Sequence, residues 1–106
     1  MSISGCVMRG TTPKHEFNIG FDVSLIADLR ISYGQDNKEV VVKNKADCLL
    51  KEQTITVPLC QEDTFKFECT KQLQIQVRVL TSGNEVLNSD LITLAVGRCL
   101  NNEVLK

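Results

Sequence analysis

The side chains with the most chemical potential in this chain are five cysteines, Cys6, Cys48, Cys60, Cys69 and Cys99, and a single histidine, His15. A thiol nucleophile needs a base within hydrogen-bond reach, and His15 is the one imidazole able to serve. It stands in phase with Phe17 and Ile19 in the alternating run 14–20. Its expected place is therefore the rim of an apolar core, with one ring nitrogen bonded to backbone or water. The cysteines are odd in number and include no CxxC pair, which argues against a disulfide framework and against a zinc ribbon or finger. They read as free thiols, several of them core-facing or at strand ends. Cys60, for example, continues the inward series Ile55, Val57, Leu59 after a one-residue slip, and a buried cysteine acts as a small hydrophobe.

The remaining chemistry is equally sparse. No serine sits in a nucleophile elbow, and the adjacent acids Glu62 and Asp63 fall in a turn, where solvation is their plain role. Asp22, Asp28, Asp36, Asp47 and Asp90 are scattered singly instead of converging on one loop, so no metal is expected. The six glycines fall at strand ends and turns and form no phosphate-cradling motif. Lys38, Lys43, Lys45 and Lys51 are interrupted by Glu39 and Asp47 and have no aromatic partner, so they read as a solvated, protected strand edge and not as a nucleic-acid surface. The expectation is no catalytic residue, no cofactor and no metal.

The elements that must hold these residues follow period two. His15, Phe17 and Ile19 share one face of a strand, and Leu29, Ile31 and Tyr33 share one face of the next. Residues 34–38 concentrate turn formers, so the strand over 39–43 pairs antiparallel with its predecessor. Residues 54–59 alternate again, with Pro58 placing that strand at an edge or ending it. Residues 46–50 form a short strand or a corner, 61–64 a single helical turn or β-turn between sheets, and Phe65 and Phe67 re-enter the core. The clearest strand covers 72–79, with Leu73, Ile75, Val77 and Val79 inward. A hairpin at 81–84 leads to one long, bent strand over 85–96. The short helix-like pattern at 23–29 is a turn or corner. Some seven short strands in 106 residues predict an all-β antiparallel sandwich of immunoglobulin-like architecture, with a small barrel as the alternative. A single domain is expected over 8–97, with a loose N-terminal arm over 1–7 and a C-terminal tail over 98–106.

The outward stripe of that clearest strand, Gln72, Gln74, Gln76 and Arg78, is the candidate interaction face, because a polar but mostly uncharged sheet surface suits a docking partner. The net charge of −1 supplies no field to gather nucleic acid or anionic lipid. No apolar run approaches the length of a membrane span, and the first residues have neither the basic nor the apolar region of a secretory signal.

Residues 8–17, MRGTTPKHEF, residues 55–64, ITVPLCQEDT, and residues 75–81, IQVRVLT, followed by Gly83 and Ser89, resemble small uncharacterised prophage-encoded proteins of Gram-positive, often gut, bacteria. More distantly, the order of strands and turn over 74–96 resembles the N-terminal β-sandwich of phage upper-baseplate proteins. The resemblance implies a phage or prophage structural protein, a tail, baseplate or head-associated module. Its partners would be further copies of itself or other phage structural proteins, in the host cytoplasm during assembly and in the virion. Baseplate proteins of that kind continue into a long trimerising or receptor-facing region, whereas this chain stops at Lys106, which fits a small adaptor or decoration subunit. In such proteins Met8 is the usual first residue, which leaves open whether Met1 or Met8 is the start here. Two other classes stay open: a regulatory or carbohydrate-binding module, which would expose Tyr33 with Phe21 in a groove, and a thiol enzyme, which would carry one fast-reacting cysteine.

Overall fold

Alternating aliphatic and polar residues give each strand one face that must leave water, and the chain satisfies this with two sheets packed over one core. The structure, a computed structural model, describes residues 6–89, 91–101 and 103–105. In chain order it forms β1 (Cys6–Met8), β2 (Lys14–Asn18), β3 (Ile26–Gln35), β4 (Lys38–Asn44), β5 (Leu49–Lys51) and β6 (Thr54–Pro58). A one-turn helix α1 (Gln61–Phe65) follows, then β7 (Leu73–Thr81), β8 (Val86–Asn88) and β9 (Ile92–Gly97). The larger sheet is ordered β1-β9-β7-β3-β4, with β8 also on β7, and the smaller is β2-β6-β5. This is an all-β, sandwich-like fold, in which β2, β6 and β5 face the larger sheet.

The core is drawn from both sheets. Phe17, Ile55 and Val57 come from the smaller sheet, and Leu29, Ile31, Tyr33, Leu73, Ile75 and Val77 from the larger; all are essentially removed from water. Immunoglobulin domains commonly fill this space with a tryptophan against a disulfide, and this chain has no tryptophan. Tyr33 takes up the task on β3. Its ring stacks on His15 of the opposite sheet at 5.7 Å between centroids and on Phe67 at 5.9 Å. A buried phenol needs a partner for its hydroxyl, and His15 Nδ1 lies 2.7 Å from it.

The turn between β3 and β4 is tighter than the run of turn formers suggests. Asp36 and Asn37 both have left-handed backbone, φ 57° and 61°, which makes a two-residue type I′ turn whose twist matches the paired strands. Gly34 lies inside β3 at a break in the β3/β4 register. A Cβ built there would stand 2.7 Å from the Lys38 carbonyl oxygen, so only glycine lets the bulge close.

Several expectations are corrected. Of the two roles expected for Pro58, it takes the second: β6 ends there, but the strand is central in its sheet and not an edge, with Lys14 of β2 paired to Pro58 and Leu49 of β5 paired to Thr56. Leu59 N–H bonds Pro13 O on the β2 side. Because successive backbone groups alternate sides, the proline nitrogen points the other way, to a position β5 does not reach, since it begins at Leu49 opposite Thr56. The sheets are not wholly antiparallel either, since β1 runs parallel to β9 and seats Val7, buried, against the core. Cys6 and Val7 are therefore strand, not part of a loose arm; residues 1–5 lie outside the described residues. The expected long last strand is divided into β8 and β9, both antiparallel to β7. Finally, Cys60 is exposed instead of core-facing, because the chain turns there to start α1 and Cys60 becomes the residue that precedes its first turn.

Two stability outcomes follow. Tyr33→Phe keeps the stacking but strips His15 of its partner, and denaturant unfolding should show a loss of about 1–2 kcal/mol. Gly34→Ala should cost about 1–3 kcal/mol by overpacking against backbone that cannot yield, measured the same way, while Gly83→Ala, where the nearest atom is 3.8 Å away, should cost much less.

Candidate interaction face

Two of the groups capable of covalent chemistry, His15 and Cys48, are held in hydrogen bonds within the fold. Burial lowers the pKa of His15 below its ordinary value, so the ring is neutral at pH 7, bound to Tyr33 and not to a thiol. Burial of Tyr33 pushes its phenol well above the usual range, and Cys48 and Asp63 push the same way. Burial also raises the Cys48 thiol to about 11, with Asp47 adding to the effect, and Cys48 Sγ donates to Asn44 O at 3.4 Å. The Cys60 thiol is raised as well. Neither is activated as a nucleophile would be. Among the described residues no three His, Cys, Asp or Glu side chains gather as a metal site, and no helix is long and apolar enough to cross a membrane.

The acids Glu62 and Asp63 divide their roles. Glu62 is exposed, but Asp63 is buried. Its Oδ2 accepts Cys60 N–H at 3.0 Å, which satisfies the first turn of α1, and lies 2.8 Å from Lys43 Nζ on β4. Burial opposes the charge on this carboxyl, yet the Cys60 N–H and the Lys43 ammonium outweigh it and hold the pKa below the usual range. The segment MRGTTP is occupied with the same helix. Arg9 donates to Phe65 O at 3.0 Å and lies over the Phe65 ring. Gly10 N–H donates to Thr64 Oγ1, which donates to Thr11 O. Gly10 has φ +80° and its Cα faces the Phe65 ring so closely that a Cβ would stand 2.7 Å from Cζ. The most distinctive residues of the chain thus lock the N-terminal segment to the crossover between sheets.

The four stripe residues lie on the outer face of the larger sheet. Gln72 is exposed just before β7, Gln74 and Gln76 are half-buried, and Arg78 is exposed. Gln74 pairs across to Gly34 and Thr93, and Gln76 to Ser32. Gln76 is partly engaged, since its amide donates to Ser89 O at 3.1 Å, where Ser89 also accepts Val77 N–H and closes the gap between β8 and β9. Three open depressions lie on this face. One of about 270 Å³ is lined by Asp28, Arg30, Asn44, Arg78, Leu80 and Val86. The others involve Gln72 and Gln74 near Asp36 and Lys71, and Gln74 and Gln76 near Ser32, Lys38 and Leu91. Val86 and Leu91 are 57% and 55% exposed, so the polar face has apolar margins.

Arg30, Asn44 and Asn88 join the face beside Arg78, although the stripe pattern singled out β7 alone. Arg30 is visible in the sequence as an outward residue between Leu29 and Ile31, but which residues stand beside it depends on register. Of the lysines expected at an edge, Lys38 and Lys43 are on β4, the edge strand of the larger sheet, and Lys51 is on β5, an edge strand of the smaller one. Lys43 is drawn inward to Asp63, and Lys45, just past β4, donates to Ile26 O at 3.0 Å. Tyr33 is 0% exposed, so it offers no platform for a sugar ring beside Phe21. No family model, curated protein sequence or solved structure matches this chain.

The lone histidine makes the acid side of the stability profile simple. The folded-state pKa lies below the ordinary 6.5, so the unfolded chain takes up a proton first as pH falls, and stability drops through that interval until the folded ring also protonates. Unfolding measured between about pH 7.5 and 5, where no other side chain ordinarily titrates, should show this loss. His15→Gln, which does not titrate, should remove most of the slope.

Proposed function

We propose that this chain is a non-catalytic docking module of a phage or prophage particle, in a tail, baseplate or head-associated position, which acts through protein contacts of a sheet face and a sheet edge. The observation that carries the docking part is the outer face of the larger sheet: a polar surface with little charge around Gln74, Gln76 and Ser32, margins at Val86 and Leu91, and shallow depressions instead of a deep cleft. Protein interfaces have this make-up, with charged residues sparse at the centre and hydrogen-bonding groups around apolar contacts. The edge strand β4 presents free backbone beside the same face, so a partner lying on the face can also pair along residues 38–44. The phage assignment is supported by the resemblance of residues 8–17, 55–64 and 75–81 to prophage-encoded proteins.

The captive state of the chemical groups supports the non-catalytic part. His15 is bound to Tyr33, Asp63 to Lys43 and the turn of α1, and the Cys48 and Cys60 thiols are raised. A small sandwich that places its polar residues in this way has its outer surface left for recognition.

Light scattering on a sizing column at several concentrations, alone and with co-expressed tail and baseplate proteins of the same prophage, tests the reading. The expected result is a stable oligomer or a co-eluting complex, weakened at least about tenfold by the double variant Gln74→Lys with Thr93→Arg and unaffected by Glu16→Arg on the smaller sheet. A strict monomer that binds no virion protein, or equal weakening by Glu16→Arg, would count against it.

A further inference from the structure

Four polar residues form a row across the larger sheet. Arg30 is the register partner of Asn44 on one side and of Arg78 on the other, and Arg78 is the partner of Asn88. All four are exposed. With neighbouring strands about 4.8 Å apart, the row spans about 14 Å, the reach of four or five extended residues. At its centre two arginines stand directly opposite each other, a pairing that repels unless a counter-charge lies between them. Arg78 Nε–H donates to Asn88 Oδ1 at 2.9 Å. The rest of that guanidinium, and all of Arg30's, make no hydrogen bond or ion pair among the described residues. Asp28 borders the same depression but turns Oδ1 to the Leu29 N–H, and it forms no ion pair with either arginine.

We propose that the row Asn44, Arg30, Arg78, Asn88 is a carboxylate-binding site that takes an acidic segment of a partner protein lying across the strands. This rests on the docking reading of the same face and names the chemistry of what docks there. Charge complementarity is the argument. A guanidinium is a planar fork that matches a carboxylate through two parallel hydrogen bonds, and two adjacent forks hold acidic groups far better than two lysines would. The asparagine amides at either end can bond the peptide groups of the same segment. Beside the arginines, half-buried Leu80 and exposed Val86 form an apolar shelf, which suits an aliphatic residue next to the acid. A nucleic-acid backbone would need the positive charge to continue along the face. Beyond the row the face turns neutral at Ser32, Gly34, Gln74 and Gln76 and then mixed in sign, with Glu39 beside Lys38 and Asp36 paired to Lys71, so the positive charge does not continue.

Fluorescence anisotropy of the full chain with a fluorescein-labelled peptide of alternating Glu and Leu provides the test, with an alternating Gln and Leu peptide, inorganic phosphate and an oligothymidine as comparators. Binding of the acidic peptide should weaken with salt, and Arg30→Gln and Arg78→Gln should each weaken it about tenfold. A double Arg→Lys variant should recover only part of the affinity. Because both arginines are exposed, the Gln variants should fold, with a melting temperature equal to or above that of the parent once the repulsion is relieved. The inference is overturned if the Gln and Leu peptide binds as well, if both Gln variants stay within about twofold of the parent, or if phosphate or the oligothymidine binds more tightly through the same two arginines. Intact peptide binding in the Arg variants together with loss of assembly in the Gln74 and Thr93 variant sinks this site while sparing the docking reading. The reverse pattern sinks the docking reading while sparing the site.

Discussion

The two sheets are held in register by one ring. Tyr33 lies between His15 and Phe67 and is wholly removed from water, so its hydroxyl must find a partner within the core or carry the cost of desolvation. The partner is an imidazole on the opposite sheet, and this fixes how β2 sits over β3: a slip of one residue would turn His15, Phe17 and Ile19 outward together. A sandwich without tryptophan or disulfide needs some bulky inter-sheet contact to set its spacing of about 10 Å, and here a hydrogen-bonded aromatic stack fills the role. Burial keeps the histidine neutral, and the same contact holds it on the phenol and away from the thiols. The one residue best suited to general-base chemistry is thereby a structural member.

A second tie works at the crossover between sheets. The carboxylate of Asp63 meets both the start of α1 and the Lys43 ammonium, while Arg9, Gly10 and Thr11 close over Phe65 and Thr64 from the other side. Removing Lys43 would leave the buried Asp63 carboxylate unbalanced, and removing Asp63 the half-buried Lys43 ammonium; either costs more than the pair contributes. The N-terminal segment is thus part of the sandwich, continuing from β1, which adds Val7 to the core beside β9. With both ends of the crossover tied, the outer face of the larger sheet is left as a broad surface whose side-chain bonds, Ser32 to Glu39, Gln76 to Ser89 and Arg78 to Asn88, stay within the face.

On that face the cross-strand neighbours decide what the proposed partner would meet. Gln74 and Gln76 stand beside Gly34 and Ser32, giving a flat, neutral area, whereas two strand positions further on Arg78 stands beside Arg30. A sheet built only for stability has no use for the second pairing, since like charges opposite one another are unfavourable. The neutral area and the cationic row are different surfaces of one face, and each would set a different demand on the partner proposed for it.

Local pattern determined much of this protein. The inward residues of β2, β3, β7 and β9 are those that alternate in the sequence, because a pleated strand buries every second side chain. The turn formers Asp36 and Asn37, the single helical turn at α1 and the outward stripe on β7 were likewise readable from residue type and spacing. Other features depend on which strand lies next to which, and that is a property of the whole chain. Pro58 signals a missing donor, but its position in a central strand is tolerable only because β5 begins at Leu49, opposite Thr56, and does not extend alongside it. Three residues, Cys6–Met8, are too few to announce a strand and form one because β9 offers an open edge. Cys60 continues an apolar alternation until the chain bends into α1 and leaves it in water. Arg30 and Arg78 are 48 positions apart in sequence, and only the register of β3 against β7 sets them side by side, because backbone hydrogen bonds between strands carry no mark in either segment alone.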